Sequence, residues 1–187
     1  IFEEITAHGG KSIRSRKTHE SGSDRIAEAA AQLDVDIIVN VQGDEPFVKK
    51  GPLEKLIGLF QGEAGARVQV ASLMQRMTES RFIQDENYVK VAVDKNDNAL
   101  FFSRSVIPYP RNKEISIDYY EHIGVYAFRK QALLNFSSWE MTPLEAAEKI
   151  ECLRYLENGV PIKMALTDYM GVEIDTPEDL QRASLLL

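Results

Sequence analysis

The sequence contains a single cysteine, Cys152, among its 187 residues, so no disulfide bond can form within the chain. This scarcity of cysteine is typical of proteins from a reducing compartment. The sequence also lacks an apolar run long enough to cross a bilayer. We therefore predict a cytoplasmic protein with no membrane insertion.

The sequence also has fewer basic than acidic residues: it contains 22 lysines and arginines and 29 aspartates and glutamates, which gives a net charge of −7. A protein that coats nucleic acid needs a basic face, so we expect no nucleic-acid partner. A nucleotide substrate is still compatible with this balance, since a few local cations or a magnesium ion can neutralise phosphates.

Several well-known catalytic motifs are missing. The sequence has no P-loop, no dinucleotide-binding glycine pattern, no zinc-ligand spacing and no Gly-x-Ser-x-Gly turn. Cys152 is an unsuitable nucleophile, because it lies within a predicted helix and has no evident activating partner. These absences exclude the chemistry that depends on such motifs and leave the acidic loops as the main candidates.

Strand-like and helix-like segments alternate along the chain. Residues 36–41 are β-branched and apolar on both faces, as expected of a buried parallel strand, and residues 94–98 are typical of a hairpin turn. The longest predicted helix covers residues 143–158. We predict one α/β domain over residues 1–187 with a hairpin insertion. Because the sequence around Ile1 resembles a helix interior, we expect this domain to be incomplete at its N-terminus.

Two aspartates follow or precede predicted elements where ligands often bind. In open α/β sheets, ligands bind beyond the carboxyl ends of the strands. Asp44 lies at such a strand end and offers a hard oxygen ligand suited to magnesium and substrate phosphates. Gly43 beside it lets a ligand approach the backbone. Asp175 directly precedes the last predicted helix. One interpretation is that Asp44 is only a solvated acid in a tight turn and that Asp175 only assists helix capping. The other is that the two aspartates jointly hold a metal ion that carries a triphosphate.

The predicted helix at 143–158 places three acids at three-residue intervals along one face: Glu145, Glu148 and Glu151. A solvated acidic face is the usual explanation of such a stripe. If the helix lines a cleft instead, these acids and Arg154 could bind sugar hydroxyls and a carboxylate.

Three further polar residues are candidates for a site. Arg104 follows the hairpin between two serines, and its guanidinium fork suits a carboxylate or a phosphate. His122 lies within a predicted strand, where a lone histidine is more often a structural hydrogen-bonding group than a ligand. His19 lies in a polar loop and is equally open to both interpretations.

Seven segments, taken in order, resemble the 3-deoxy-manno-octulosonate (KDO) cytidylyltransferases, also called CMP-KDO synthetases. They run nearly from end to end of the chain, and seven colinear blocks are far more specific than any one motif. The segments are HESGSDR (19–25), VNVQGDEP (39–46), YVKV (88–91), ALFFSRSVIP (99–108), HIGVY (122–126), ECLR (151–154) and VEIDTPEDL (172–180).

This resemblance implies a Rossmann-like nucleotidyltransferase sandwich with a mixed, mostly parallel sheet and a β-hairpin dimerisation arm. It implies transfer of CMP from CTP to KDO with release of pyrophosphate, Mg²⁺ as cofactor, and a homodimer. The residues that match the family's nucleotide side are His19, Ser21, Gly22, Arg25 and Gln42. The pair that matches its catalytic magnesium ligands is Asp44 and Asp175. The residues that match its sugar side are Arg104, His122, Glu148, Glu151 and Arg154.

The sequence departs from the family pattern in three places. No segment matches the basic N-terminal loop that cradles the triphosphate, so a non-catalytic, dimerising fragment is one alternative. Ser23 replaces the usual threonine. Cys152 replaces a glutamine on the sugar side, which leaves a related sugar acid, such as 8-amino-KDO or a sialic-type acid, as a second alternative.

Overall fold

The structure, a computed structural model, describes residues 2–15, 18–19, 21–43, 47–168, 181 and 184. The strands are β1 (Ile37–Asn40), β2 (Val70–Met77), β3 (Lys90–Val93), β4 (Ala99–Ser103), β5 (Tyr119–Arg129) and β6 (Ile162–Leu166). The helices are α1 (Phe2–Ala7), α2 (Gly22–Ala30), α3 (Lys50–Gly58), α4 (Gly62–Gly65), α5 (Ser80–Gln84), α6 (Lys130–Phe136), α7 (Pro143–Glu148) and α8 (Leu153–Glu157).

The strands form one six-stranded mixed sheet in the order β4-β3-β5-β2-β6, with β1 also paired to β5. Only the pairing of β2 with β6 is parallel among the described strands, and the other four pairings are antiparallel. The expectation of a mostly parallel sheet was therefore wrong for this part of the chain. The reason is the length of β5, whose 11 residues pair with β2 along one edge and with β3 and β1 in succession along the other.

The predicted hairpin is confirmed as β3 and β4, which pair antiparallel around residues 94–98. Asp94 closes the turn, because its carboxylate accepts hydrogen bonds from the backbone N–H groups of Asn96 and Asn98, both at 2.8 Å. These bonds hold the pKa of Asp94 below its usual value, the side chain of Asn98 contributing most. The turn also contacts β6, since the N–H of Met164 donates to the carbonyl of Asp97 at 2.7 Å.

The predicted helix at 143–158 is interrupted. Helix α7 ends at Glu148, its C-cap Lys149 adopts a left-handed conformation with φ of 56°, and α8 begins at Leu153. In a continuous helix, Glu145 and Arg154 would lie on opposite faces, about 180° and about 13 Å apart. The interruption instead brings their side chains together, with Nη2 of Arg154 2.6 Å from Oε1 of Glu145.

The sheet carries helices on both faces, which confirms the predicted sandwich. One core cluster joins the sheet to residues of α2, α6 and α8, and a second joins its other face to Leu56 of α3. The first cluster contains an aromatic row in which Tyr126, Phe128 and Tyr155 contact one another in succession. Among the residues that the structure describes, no helix is both long and apolar enough to span a bilayer.

Candidate active site

The segment before α2 is organised by its N-cap. Oγ of Ser21 accepts a hydrogen bond from the N–H of Asp24 at 3.1 Å and donates to Oδ2 of the same residue at 2.8 Å. These bonds satisfy a backbone donor that the first turn of a helix leaves without an intrahelical partner. The cap thereby fixes the backbone of Gly22, which the sequence predicts to lie beside a nucleotide.

A carboxylate from a distant part of the chain lies at the same helix N-terminus. Glu151 accepts hydrogen bonds from Oγ of Ser23 at 2.7 Å and from the N–H of Ser23 at 3.3 Å. Ser23 is buried. A negative charge at this position is stabilised by the partial positive charge of the helix end. We call this pair of hydrogen bonds the Glu151 contact.

Gln42 lies between the start of α2 and strand β5. A Cβ atom added to Gly22 would lie 3.7 Å from Nε2 of Gln42 and 4.0 Å from Oε2 of Glu151, and one added to Gly124 would lie 4.0 Å from Cγ of Gln42. Both glycines therefore lie against the side chain of Gln42, at ordinary van der Waals distance. Three predicted site residues, Gly22, Gln42 and Glu151, are thus brought together.

Arg154 is enclosed by the protein, with a side chain that is only 2% exposed. Its guanidinium donates from Nε to Oε2 of Glu145 at 2.7 Å and lies 3.6 Å from the carboxylate of Asp24. It also stacks over the ring of Phe136 at 4.0 Å. Arg154 and Glu145 thus form a buried ion pair that, with Asp24, joins α7, α8 and α2. The predicted contact of Arg154 with a sugar acid stays a prediction.

A second acid, Glu148, binds the end of the hairpin. Its carboxylate accepts from Oγ of Ser103 at 2.7 Å and from the N–H of Arg104 at 2.9 Å. We call these two bonds the Glu148 contact. With both Glu148 and Glu151 hydrogen-bonded to other elements, and Glu145 buried, the alternative of a solvated acidic face was wrong.

The side chain of Arg104 is oriented by two backbone carbonyls. Nε donates to the carbonyl of Glu148 at 2.8 Å, and Nη1 donates to the carbonyl of Glu86 at 3.0 Å. Within the described ranges, Nη2 makes no hydrogen bond. The guanidinium is therefore held in place by two of its nitrogens and has a third available for an anion.

His122 packs in an apolar environment on β5. Its ring lies edge-on against Phe102, with centroids 4.9 Å apart, and near Tyr126 at 5.3 Å. Nε2 lies 3.1 Å from Oγ of Ser72. Burial lowers the pKa of His122 to about 4, because loss of water disfavours the charged imidazolium. The ring is therefore neutral at physiological pH.

His19 and Arg25 lie apart from this group. Nε2 of His19 is 2.6 Å from Oε2 of Glu28 and 2.8 Å from Oγ of Ser15. His19 lines a cavity of about 500 Å³ between α2 and α6, and neither Gly22 nor Gln42 belongs to its lining. Arg25 is exposed on α2. Their predicted roles beside the nucleotide stay predictions.

The two predicted metal ligands, Asp44 and Asp175, lie outside the described residues. Within the part of the chain that the structure does describe, no group of three or more histidine, cysteine, aspartate or glutamate side chains could hold a metal ion. The magnesium assignment therefore still rests on these two aspartates and stays a prediction.

Sequence reasoning assigned no role to Lys90, which is fully buried on β3. Its ammonium donates to the carbonyl of Asp85 at 2.8 Å. Burial is the main cause that lowers the pKa of Lys90, and the charge of Arg104 lowers it further, against the opposing charges of Asp85, Glu121 and Glu148. The available signal was the apolar flank on each side, Val89 and Val91, which places Lys90 inside a strand.

The chain is similar to known proteins over almost all its length. A family profile described as Cytidylyltransferase matches residues 1–164. A 3-deoxy-manno-octulosonate cytidylyltransferase of Flavobacterium johnsoniae is 58% identical over 187 residues, which are 100% of this chain and 77% of that protein. One of Christiangramia forsetii is 54% identical over 100% of this chain and 75% of that protein.

A solved structure has the same fold. It is that of CMP:2-keto-3-deoxy-manno-octonic acid synthetase complexed with CTP, at 36% identity and a TM-score of 0.91. The similarity covers 99% of this chain and 75% of that one. Sequence and fold therefore agree on the same group of enzymes.

Proposed function

This chain belongs to the 3-deoxy-manno-octulosonate cytidylyltransferase family, and we propose that it transfers CMP from CTP to the anomeric hydroxyl of KDO for lipopolysaccharide biosynthesis. The observation that carries the proposal is the identity of 58% over the whole chain to a protein of that name. In the reaction, the hydroxyl oxygen forms a bond to the α-phosphorus of CTP. The bond from that phosphorus to the bridging oxygen breaks, pyrophosphate leaves with the electron pair, and the hydroxyl proton is released.

The nucleotide side of the proposed site is built around the start of α2. Gly22 adjoins the amide of Gln42, with 3.7 Å between that amide nitrogen and the position of a Cβ atom, so we assign the base or the ribose of CTP to the space beside both residues. Ser21 holds the backbone of this turn through its cap. We assign His19 and Arg25 to the same side because they flank this turn in sequence.

The sugar side is built around the end of the hairpin. Arg104 offers Nη2 to the carboxylate of KDO, and a guanidinium held at two other nitrogens loses little further conformational freedom on binding. Glu148 has lone pairs beyond the two that its present donors use, so it can also accept from a sugar hydroxyl. His122 completes this side, and Arg154 acts as a positioning residue beneath it. The resemblance assigns Glu151 to the sugar side as well, but its carboxylate bonds to Ser23 at the start of α2, so we propose that Glu151 serves the nucleotide side instead.

We assign magnesium to Asp44 and Asp175. Carboxylate oxygens are the ligands that this ion prefers, and a bound Mg²⁺ supplies alignment of the triphosphate and charge stabilisation in phosphoryl transfer. The contribution of the described residues is orientation: Arg104 and Glu148 place the sugar, and the turn at Gly22 places the nucleotide. Such positioning accounts for much of the catalysis of phosphoryl transfer.

We further propose a cytoplasmic homodimer. Three large apolar side chains on or after the hairpin are more than half exposed: Leu100 at 62%, Tyr109 at 79% and Ile115 at 61%. A contiguous exposed apolar patch commonly marks a protein interface, and the family resemblance assigns this hairpin to a dimerisation arm. Sedimentation of the protein and of a Leu100→Lys variant tests this assignment: we expect a dimer that the lysine weakens, and a wild-type monomer at all concentrations would refute it.

Product analysis tests the activity. The protein is incubated with CTP, Mg²⁺ and, separately, KDO, 8-amino-KDO and a sialic acid, and products are identified by mass spectrometry. We expect CMP-KDO and stoichiometric pyrophosphate. A CMP conjugate formed with another acid but not with KDO would replace the substrate assignment.

The alternative of a non-catalytic fragment is motivated by the unmatched phosphate loop. Pyrophosphate release by the 187-residue chain alone would eliminate that alternative. If the chain alone is inactive, the same assay on the product of the whole reading frame decides between a fragment and an enzyme.

A further inference from the structure

Strand β5 contains a bulge opposite Ser72. The pairing of β2 with β5 passes from Ser72 and Tyr126 directly to Leu73 and Ile123, so Gly124 and Val125 have no partner residue on β2. Bulges of this kind redirect side chains and are over-represented next to active sites. Here the bulge lies between His122 and Tyr126, whose rings are nevertheless 5.3 Å apart and so lie on the same side of the sheet.

Oγ of Ser72 connects the two ends of this bulge. It lies 3.1 Å from the carbonyl oxygen of Ile123, 3.0 Å from the carbonyl oxygen of Val125 and 3.1 Å from Nε2 of His122. Ser72 itself is completely buried, so its hydroxyl has no competing water. The contact geometry is therefore set by these three partners.

The direction of the hydrogen bond to His122 follows from counting donors. A carbonyl oxygen only accepts, and a serine hydroxyl has one proton, which Ser72 uses toward the carbonyls of Ile123 and Val125. The remaining partner, Nε2 of His122, must then carry a proton and donate it to Oγ. If Nε2 accepted instead, both carbonyls in the buried bulge would lose the serine as their donor, which is costly.

The other ring nitrogen is consequently an acceptor. The ring is neutral, because burial lowers the pKa of His122 to about 4, so a proton on Nε2 leaves Nδ1 with its lone pair. Tyr126 is the titratable group whose ring contacts the imidazole, and loss of water is the cause of the shift. Among the described residues, Nδ1 has no hydrogen-bond partner.

From this geometry we infer that Ser72 is a positioning residue that fixes His122 with its proton on Nε2, so that Nδ1 accepts a hydrogen bond from a hydroxyl of the sugar acid. The inference rests on the proposed function for its sugar ligand. His122 is two residues from Gly124, which adjoins Gln42, so the ring lies near the junction of the nucleotide and sugar sides. Ser72 reaches the substrate only through His122.

The tautomer is tested without any substrate. In the ¹⁵N-labelled protein, two-bond ¹⁵N–¹H correlation should show His122 protonated at Nε2 and bare at Nδ1 from pH 6 to 8. Ser72→Ala should bring in a measurable fraction of the Nδ1-protonated form. A wild-type ring protonated at Nδ1, or a tautomer that Ser72→Ala leaves unchanged, would overturn the inference whatever the enzyme's substrate.

Kinetics test the positioning role. Ser72→Ala should raise the KM for KDO about tenfold and leave the KM for CTP within about twofold, as a loss of one oriented hydrogen bond predicts. Ser72→Thr, which retains the hydroxyl, should recover most of the loss. Val70→Ala, a buried change two residues away on the same strand, is the control for loss of packing and should leave both KM values unchanged.

A double variant separates the two proposals. Because Ser72 acts through His122, Ser72→Ala combined with His122→Ala should have the same KM for KDO as His122→Ala alone. If His122→Ala raises that KM and Ser72→Ala does not, the positioning role of Ser72 is refuted and the sugar assignment of His122 stands. If neither change affects KDO binding, the sugar assignment itself has failed, and the ¹⁵N result still decides the tautomer.

Discussion

Two glutamates three residues apart, Glu148 and Glu151, make almost identical hydrogen bonds to different parts of the molecule. Each carboxylate accepts one bond of 2.7 Å from a buried serine and one from a backbone N–H. The Glu148 contact holds the end of the hairpin, and the Glu151 contact holds the start of α2. The interruption at Lys149 is what allows neighbouring acids to serve opposite sides of the proposed site.

The two contacts differ in their support. Near the Glu151 contact lies the buried ion pair of Arg154 and Glu145, with Nη1 of Arg154 also 3.6 Å from Oδ1 of Asp24. Near the Glu148 contact lies the partly exposed guanidinium of Arg104. Similar carboxylates in one sequence stripe thus have separate partners, and those on the nucleotide side adjoin the more deeply buried ion pair.

The largest effect is expected from Arg154→Met. This change leaves the carboxylate of Glu145 buried without its bidentate partner, and removal of one member of a buried pair typically costs about 3–5 kcal/mol. Urea unfolding should show that loss, whereas Arg67→Met, at an exposed arginine, should change stability by less than about 0.5 kcal/mol. If both variants lost the same free energy of unfolding, the buried ion pair beside α2 would contribute no more to stability than an exposed arginine does.

The next effect is a pH dependence on the sugar side. The folded protein protonates His122 only near pH 4, whereas an unfolded histidine takes up a proton below about pH 6.5. Because the unfolded state binds more protons between these values, stability should fall as the pH decreases from about 6.5 to 4, by up to about 3 kcal/mol. In His122→Gln the loss of stability between pH 6.5 and 4 should be smaller by up to about 3 kcal/mol. An identical pH dependence of stability in the two proteins would contradict the neutral ring.

A smaller effect is expected at the two serines. Ser23→Ala and Ser103→Ala each remove a buried hydrogen bond to a carboxylate, which typically contributes about 1.5–3 kcal/mol. Unfolding free energies should fall by similar amounts in both, with Ser138→Ala, an exposed serine, as the unaffected control. A loss confined to Ser23→Ala would mean that the Glu148 contact contributes nothing to the folded state.

Local patterns predicted the individual elements well. A strand was expected at 36–41, and β1 covers Ile37–Asn40; the hairpin turn at Asp94 was recognised because its asparagines and aspartates tolerate tight turns. Gly22 and Gln42 lie together, and their assignment to the nucleotide side, which the family resemblance supplied, stays a prediction. These features depend on neighbours in sequence or on one strand end, which is why a sequence reveals them.

Features set by distant partners were missed. Residues 143–158 are good helix formers, and only the pairing of Glu145 with Arg154 across nine positions reveals that the helix must be interrupted. Strand direction was likewise wrong, because alternation of strands and helices does not specify which strand adjoins β5. Ser72 carried no signal, since its importance arises from a bulge in another strand.

The most direct test of this account is the crossed kinetics of Glu151→Gln and Glu148→Gln. If the two contacts serve separate sides, Glu151→Gln should raise the KM for CTP about tenfold, and Glu148→Gln should do the same for KDO, each with less than about a twofold effect on the other substrate. An equal rise of both KM values in both variants would contradict the division of the site between these two acids.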